Sequence, residues 1–292
     1  MPRLDDQSFM KLIAYKKYFI ETLTPIYDAV EAESFFNLLL EHTKQLSRIN
    51  LALNPEIALS QIELDDWNSI LEKLVQEIPI QYILGKTSFC GLDFEVNQNV
   101  LIPRPETEEL VDWIVSNSRT VEQSNNRILD IGTGSGCIAI TLAKSLPCSE
   151  VYAIDISEPA LATAKVNAEN NDVKINFIKA DILTTENLNL KFDIIVSNPP
   201  YVRYLEKTEI KKNVLEHEPH LALFVNDDDP LIFYRKIVQL ANHILNPKGQ
   251  LYFEVNQYLA KDVVDLLEAA DFQSVELKKD IYGNDRMVYS KK

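Results

Sequence analysis

Cysteine is scarce in this chain, with Cys90, Cys137 and Cys148 the only three. An odd number without a C-x-x-C spacing points away from a disulfide framework and from a zinc site, and it fits a reducing cytoplasm. Histidine is nearly as scarce, at four. His217 and His220 stand three apart around Pro219, but with no cysteine or second histidine cluster beside them they read as surface side chains, so no metal is expected. No apolar run approaches the roughly 20 residues that cross a bilayer, and the amino terminus lacks the charged-then-apolar form of a signal peptide. No membrane association is expected. Positive charge is also in short supply: 29 Lys and Arg face 44 Asp and Glu, for a net charge of −15. A protein that tracks a nucleic-acid backbone needs clustered cations to displace counterions, and a field of this sign repels DNA and RNA. Direct nucleic-acid binding is therefore not expected, whereas a basic protein partner suits the surface. Internal repeats and low-complexity tracts are lacking too.

What is present is a globular composition. The 292 residues are 46% hydrophobic and 25% charged, enough for one large domain and a small one. Residues 1–80 read as a helical bundle. Phe35, Phe36, Leu38, Leu39 and Leu40 make one apolar segment, and Trp67, Ile70, Leu71, Leu74, Val75 and Ile78 follow the stripe of an amphipathic helix. Residues 81–104 read as a linker whose Phe89–Val96 stretch turns at Gly91 into a hairpin. A helix is expected from near Glu106, with Glu106, Glu108 and Glu109 at its positive end. Arg104, between two prolines, has two readings: an ion pair with Glu108, which is preferred, or a contact with a cofactor carboxylate.

From 105 to 292, strands alternate with helices, the pattern of a parallel sheet covered on both faces. The buried strand Arg127–Ile131 runs directly into Gly132-Thr133-Gly134-Ser135-Gly136 before a helical pattern. Glycines permit a tight turn and let a ligand approach the backbone. A dinucleotide loop is one alternative, but its pattern is G-x-G-x-x-G, and here Cys137 lies where the last glycine would be. The next strand ends at Asp155, about 20 residues past the loop, where a carboxylate would accept from both ribose hydroxyls. Ser157 caps the following helix, with Glu158 and Pro159 in its first turn. A third strand leads to Asp181 and Ile182, readable as an adenine site or as a solvated loop acid.

The run Phe192–Ser197 then ends in Asn198-Pro199-Pro200-Tyr201. A buried strand presents the next residues at its carboxyl end, where open α/β sheets place ligands. Asn198 has an amide oxygen that accepts and two N–H donors, and the two prolines offer carbonyls without N–H groups. Together the Asn198 side chain and the Pro199 carbonyl suit capture of an NH2 group, and Tyr201 adds an aromatic face for a flat substrate or a sulfonium cation. By itself a Pro-Pro pair would be an ordinary turn, but the glycine loop upstream makes it part of a site.

These residues carry a resemblance. Asp130 through Gly136, Asp155, Asp181 and Asn198-Pro199-Pro200-Tyr201, in this order, resemble a class I S-adenosylmethionine-dependent methyltransferase. Pro79-Ile80-Gln81-Tyr82-Ile83-Leu84-Gly85 and Val100 through Glu108 narrow it to the HemK/PrmC family, and the likeness runs as far as Gly283-Asn284-Asp285-Arg286. The resemblance implies a Rossmann-like seven-stranded sheet whose last strand is antiparallel, preceded by a small helical domain that recognises the partner. It also implies S-adenosylmethionine as cofactor, held by Gly132, Thr133, Gly134, Ser135, Gly136, Asp155, Asp181, Ile182 and Asn198. Asn198, Pro199, Pro200 and Tyr201 would be catalytic and substrate-binding. The implied reaction is methylation of the side-chain N5 of glutamine in the Gly-Gly-Gln loop of peptide-chain release factors. Glu218-Pro219 and Leu221–Phe224 also resemble a family stretch. Two departures are Glu77, where glycine is common, and Ile182, where bulkier residues occur. Other readings are a ribosomal-protein glutamine methyltransferase, an adenine-N6 methyltransferase of nucleic acid, and a non-catalytic protein that binds the cofactor as a signal.

Overall fold

The computed structural model describes residues 10–119 and 125–292. Residues 1–9 of the expected helical segment, where a signal peptide would begin, and residues 120–124 of the α/β segment lie outside the described residues. The chain divides into two compact units, Met1–Gly85 and Lys86–Lys292. Among the described residues no helix is long and apolar enough to cross a membrane.

In the first unit a short strand, β1 (Met10–Lys11), leads into helices α1 (Leu12–Leu23), α2 (Ala29–Lys44) and α3 (Arg48–Leu53). Strand β2 (Ala58–Leu59) pairs antiparallel with β1 and is followed by α4 (Gln61–Val75) and α5 (Ile80–Leu84). Helix α4 starts because Ser60 and Glu63 form a reciprocal capping box, which satisfies N–H groups that the first turn leaves without partners. Trp67, Leu71 and Leu74 of α4 pack with Tyr15, Phe19, Phe36, Leu39 and Leu40 in one core. The apolar stripe is narrower than its spacing predicts. Val75 is 42% exposed, and α4 stops at Val75, so Ile78 lies beyond the helix; in the other apolar segment, Leu38 of α2 is 41% exposed. Glu77 sits just past this end at φ +61, the left-handed region that glycine enters without Cβ strain. A glycine, which the family resemblance implies is common at this position, would have a backbone reason there.

The second unit opens with a hairpin, β3 (Lys86–Phe89) and β4 (Leu92–Glu95), paired antiparallel. It continues through α6 (Pro105–Arg119), β5 (Arg127–Ile131), α7 (Cys137–Ser145), β6 (Glu150–Asp155), α8 (Glu158–Asn170), β7 (Ile175–Lys179) and β8 (Phe192–Ser197). A short strand β9 (Val202–Arg203), a 3-10 turn over Tyr204–Glu209, α9 (Lys212–His217), α10 (His220–Leu223) and β10 (Phe224–Val225) follow. Helix α11 (Ile232–Ile244), β11 (Leu245–Glu254), α12 (Ala260–Ala269), β12 (Gln273–Lys279) and β13 (Asp285–Lys291) complete it.

Seven strands form one sheet in the order β12-β13-β11-β8-β5-β6-β7. Strand β13 runs antiparallel to both neighbours, as expected, and the other pairings are parallel. The alternation of side chains along each strand separates two cores. Ile128, Ile194, Val196 and Tyr252 face one layer, with Leu110 and Ile114 of α6 and Ile138 and Leu142 of α7. Leu129, Ile131, Ile195, Leu251 and Phe253 face the other, against Tyr234, Ile237 and Ile244 of α11 and Val263 and Leu267 of α12. Burial of each such side chain contributes on the order of 1.5–3 kcal/mol. Chain order reverses beside β5, whose neighbours are β6 and β8. At such a switch point the loops leave in opposite directions and open a crevice at the carboxyl ends of the strands.

Candidate functional site

That crevice holds a cavity of about 200 Å³. Four strand ends supply its floor: Ile131 from β5, Ile154 and Asp155 from β6, Ala180 and Asp181 after β7, and Ser197 of β8 with Asn198 just after it. The central strands are tied at this edge by Ser197 Oγ, which donates to the Ile131 carbonyl at 2.7 Å. Gly132, Gly134, Asp155, Asp181, Ile182, Asn198, Pro199 and Pro200 all line the cavity. Thr133, Ser135, Gly136 and Tyr201 are not among its lining residues.

Those four have other contacts. The Thr133 hydroxyl donates to Asp130 Oδ2 at 2.6 Å, and the Ser135 carbonyl accepts from the buried Asn167 amide at 2.9 Å. Asn167 also exchanges hydrogen bonds with the Glu95 backbone, so it fastens β4 to the glycine loop. Gly136 caps α7 at φ +83, and a Cβ built there would lie 2.9 Å from Ile140 Cδ1 and 3.1 Å from Ala164 Cβ. Its role is close packing of the loop against α7 and α8. The Tyr201 hydroxyl donates to Glu254 at 3.1 Å, and burial pushes its phenol above the usual range.

Asp155 organises the loop from across the crevice. Its Oδ2 accepts the Gly134 N–H at 2.9 Å and its Oδ1 the Ser157 N–H at 2.8 Å. One carboxylate thereby sets both the glycine turn and the start of α8, whose Ser157 cap accepts from Ala160 as expected. Asp181 Oδ1 accepts from the Leu183 N–H at 2.9 Å, which curls the segment around the cavity wall. A carboxylate oxygen accepts at more than one lone pair, so both acids retain capacity for ligand hydroxyl or amino groups. A Cβ built on Gly132 or Gly134 meets no atom within 4 Å. Open space therefore lies over the loop, and with two strand-end acids around it the chamber fits a nucleoside-bearing ligand such as S-adenosylmethionine.

Asp130 lies beneath the loop, fully buried, with no hydrogen-bond partner to Oδ1 among the described residues. Desolvation pushes its carboxyl up to about 7. Burial likewise pushes the Cys137 thiol up to about 12, which leaves it without thiolate reactivity at neutral pH.

Residues missed by the sequence reading close the cavity from outside. Asn99, Val100 and Leu101, Pro219, Leu221 and Ala222, and Phe233 and Ile237 of α11 join its walls. The two covering segments are joined by Glu218. Its buried carboxylate accepts the Ile102 N–H at 3.1 Å and pairs with Arg104 at 2.5 Å. This corrects the preferred pairing of Arg104 with Glu108. Glu108 instead accepts the Cys90 N–H, and the buried Glu218 needs a cation far more than a helix-surface acid does. His220 is exposed and His217 half-buried, and among the described residues no group of three or more His, Cys, Asp or Glu is placed to hold a metal ion.

The sheet order, the switch-point cavity and the two strand-end acids define a class I S-adenosylmethionine-dependent methyltransferase. Among solved structures, a methyltransferase from Pyrococcus furiosus shares the fold at a TM-score of 0.50 and 20% identity, over 70% of this chain and 90% of that one. Residues 107–222 match the Methyltransferase small domain and residues 18–85 the PrmC N-terminal domain. A release factor glutamine methyltransferase of Flavobacterium psychrophilum is 59% identical over 275 residues, 94% of this chain and 96% of its own length. One of Bacteroides thetaiotaomicron is 44% identical over 272 residues, 93% and 96% of the two chains. The chain belongs to the HemK/PrmC family of release factor glutamine methyltransferases.

Proposed function

We propose that this enzyme methylates the side-chain N5 of the glutamine in the Gly-Gly-Gln loop of peptide-chain release factors. The observation that carries the reading is that Asn198 and Pro199 line the same cavity as Gly132, Gly134, Asp155 and Asp181. An acceptor pair for an NH2 group would thus lie beside the cavity that would take the cofactor's nucleoside. Asp155 would hold the ribose hydroxyls of the cofactor, and Asp181 with Ile182 its adenine. When bound, S-adenosylmethionine supplies a methyl group on a positively charged sulfur.

A carboxamide nitrogen is a poor nucleophile because its lone pair is delocalised into the carbonyl. Asn198 Oδ1 and the Pro199 carbonyl would each accept one of its N–H groups, aim the nitrogen at the methyl carbon and hold it at near-attack distance. Positive charge that builds on nitrogen in the transition state strengthens both hydrogen bonds, so they favour the transition state over the ground state. No strong base is needed, because the methylated amide loses its extra proton readily to water. Residues 1–80 serve as the partner-recognition domain and residues 105–292 as the methyltransferase domain. Cys90, Cys137 and Cys148 are free thiols, which suits the reducing cytoplasm where we place the reaction.

The test is transfer of labelled methyl groups to a purified release factor and to its Gln→Ala variant. Label on the first and not the second is expected, and Asn198→Ala should lower the rate by about 10²–10³ with the fold retained. Label found only on a ribosomal protein or on RNA would overturn the substrate assignment, and full activity of folded Asn198→Ala would overturn the role of that residue.

A further inference from the structure

We infer that Thr107 and Glu254 are positioning residues for Asn198: the Glu254 carboxylate sets the Thr107 hydroxyl, and that hydroxyl sets which end of the Asn198 amide faces the acceptor glutamine. The inference rests on the role proposed for Asn198 and adds two residues that do not line the cavity.

Glu254 ends β11, next to β8 in the sheet, and is 1% exposed. Its place is unusual, since the strand around it is apolar and a carboxylate there must be fully hydrogen-bonded to be tolerated. Two hydroxyl groups meet that need. Thr107, 3% exposed in the first turn of α6, donates to Oε2 at 2.6 Å, and Tyr201 donates to Oε1 at 3.1 Å. The Asn198 side-chain Nδ2 lies 3.3 Å from Thr107 Oγ1.

Hydrogen accounting then fixes the amide. A hydroxyl has one hydrogen and two lone pairs. Burial raises the Glu254 carboxyl, and the Thr107 hydrogen bond and the nearby Arg286 charge oppose that rise; with Glu254 ionised, Thr107 commits its hydrogen to the carboxylate and only lone pairs remain for Asn198. The end of the Asn198 amide that meets Thr107 must therefore be the NH2, which turns Oδ1 away from Thr107 as the acceptor for the substrate. With the amide turned over, two oxygens without a hydrogen between them would face each other at Thr107. The incoming glutamine NH2 would also meet another NH2, donor against donor. Free asparagine has no such preference, because the two orientations differ only by a rotation about one bond. Glu254 also holds Tyr201, so one carboxylate anchors the first and last residues of the tetrapeptide.

The experiment compares wild type, Thr107→Val, Thr107→Ser and Thr107→Ala in methyl transfer to a purified release factor. Cofactor affinity is followed by calorimetry and folding by thermal denaturation. Thr107→Val keeps the shape and loses the hydroxyl. Its kcat should fall by about tenfold to a hundredfold, with the Kd for S-adenosylmethionine within about threefold of wild type, because Thr107 does not line the cofactor cavity. Thr107→Ser restores the hydroxyl and should recover most of the rate, which a loss of packing alone does not explain. If Thr107→Val does not fold, Thr107→Ala makes the same comparison. Unchanged kcat in the hydroxyl-less variant, failure of serine to rescue it, or a loss appearing in cofactor affinity instead of kcat would overturn the inference. Wild type that transfers no methyl group to the release factor would instead refute the underlying substrate reading, so the two failures are told apart by the wild-type arm.

Discussion

Replacing Asp155 by alanine separates cofactor binding from the chemical step. Two effects add in that variant. The carboxylate would lose its bonds to the ribose, and a hydrogen bond to a charged group contributes about 1.5–3 kcal/mol. The Gly134 and Ser157 N–H groups, now held at 2.9 and 2.8 Å, would also lose their acceptor. Water replaces part of that second loss, because Asp155 is only half-buried. The glycine turn, however, would no longer be held in the shape that receives the ligand. A combined weakening of about 3 kcal/mol follows, a factor of roughly 100 in Kd at 1.4 kcal/mol per tenfold. Isothermal titration of S-adenosylmethionine into Asp155→Ala, with circular dichroism to show that the fold persists, measures it. A Kd within about threefold of wild type would remove Asp155 from the ribose site, and with it the assignment of the β6 end of the cavity.

Two more expectations concern the loop and its support. Gly136→Ala combines positive-φ strain with a Cβ 3.1 Å from Ala164, at a cost of about 2–4 kcal/mol; thermal melting should show a fall of about 5–15 °C, and an unchanged midpoint would refute the close-packing account. For Asp130, pushed up to about 7 by burial, the raised value means that the fold favours the protonated acid. Stability relative to Asp130→Asn should therefore fall as pH rises from about 4 to about 7 and level off above, with a total of a few kcal/mol; urea titrations of both proteins at several pH values test this, and a constant difference would contradict it.

The parts of the site made by local sequence were legible before the structure. A buried run ending in Gly132-Thr133-Gly134, and strand ends at Asp155 and Asn198, announce themselves because each element carries its own signal of apolar run, turn residue and polar terminus. The cavity's outer wall carries no such signal. Asn99–Leu101 and Leu221–Ala222 are tied together by the Glu218 clasp, and that contact joins residues more than 100 positions apart. Arg104 is hard to place for the same reason, since sequence proximity favours Glu108 over a distant buried acid. Glu254 did offer a clue, an acid between Phe253 and Val255 in a strand otherwise suited to the core. The extent of α4 is beyond what spacing can fix, because period alone does not show where a helix stops, and Val75 and Ile78 fit the period while lying at and past its end.

The three thiols differ in a way that is useful at the bench. Cys137 is sealed beneath the glycine loop, Cys90 is half-buried and pushed up to about 12, and Cys148 is exposed. Cys148 lies just before β6, at the edge of the sheet opposite the crevice. A maleimide dye should therefore attach first at Cys148, labelling the protein while leaving the reaction chamber untouched.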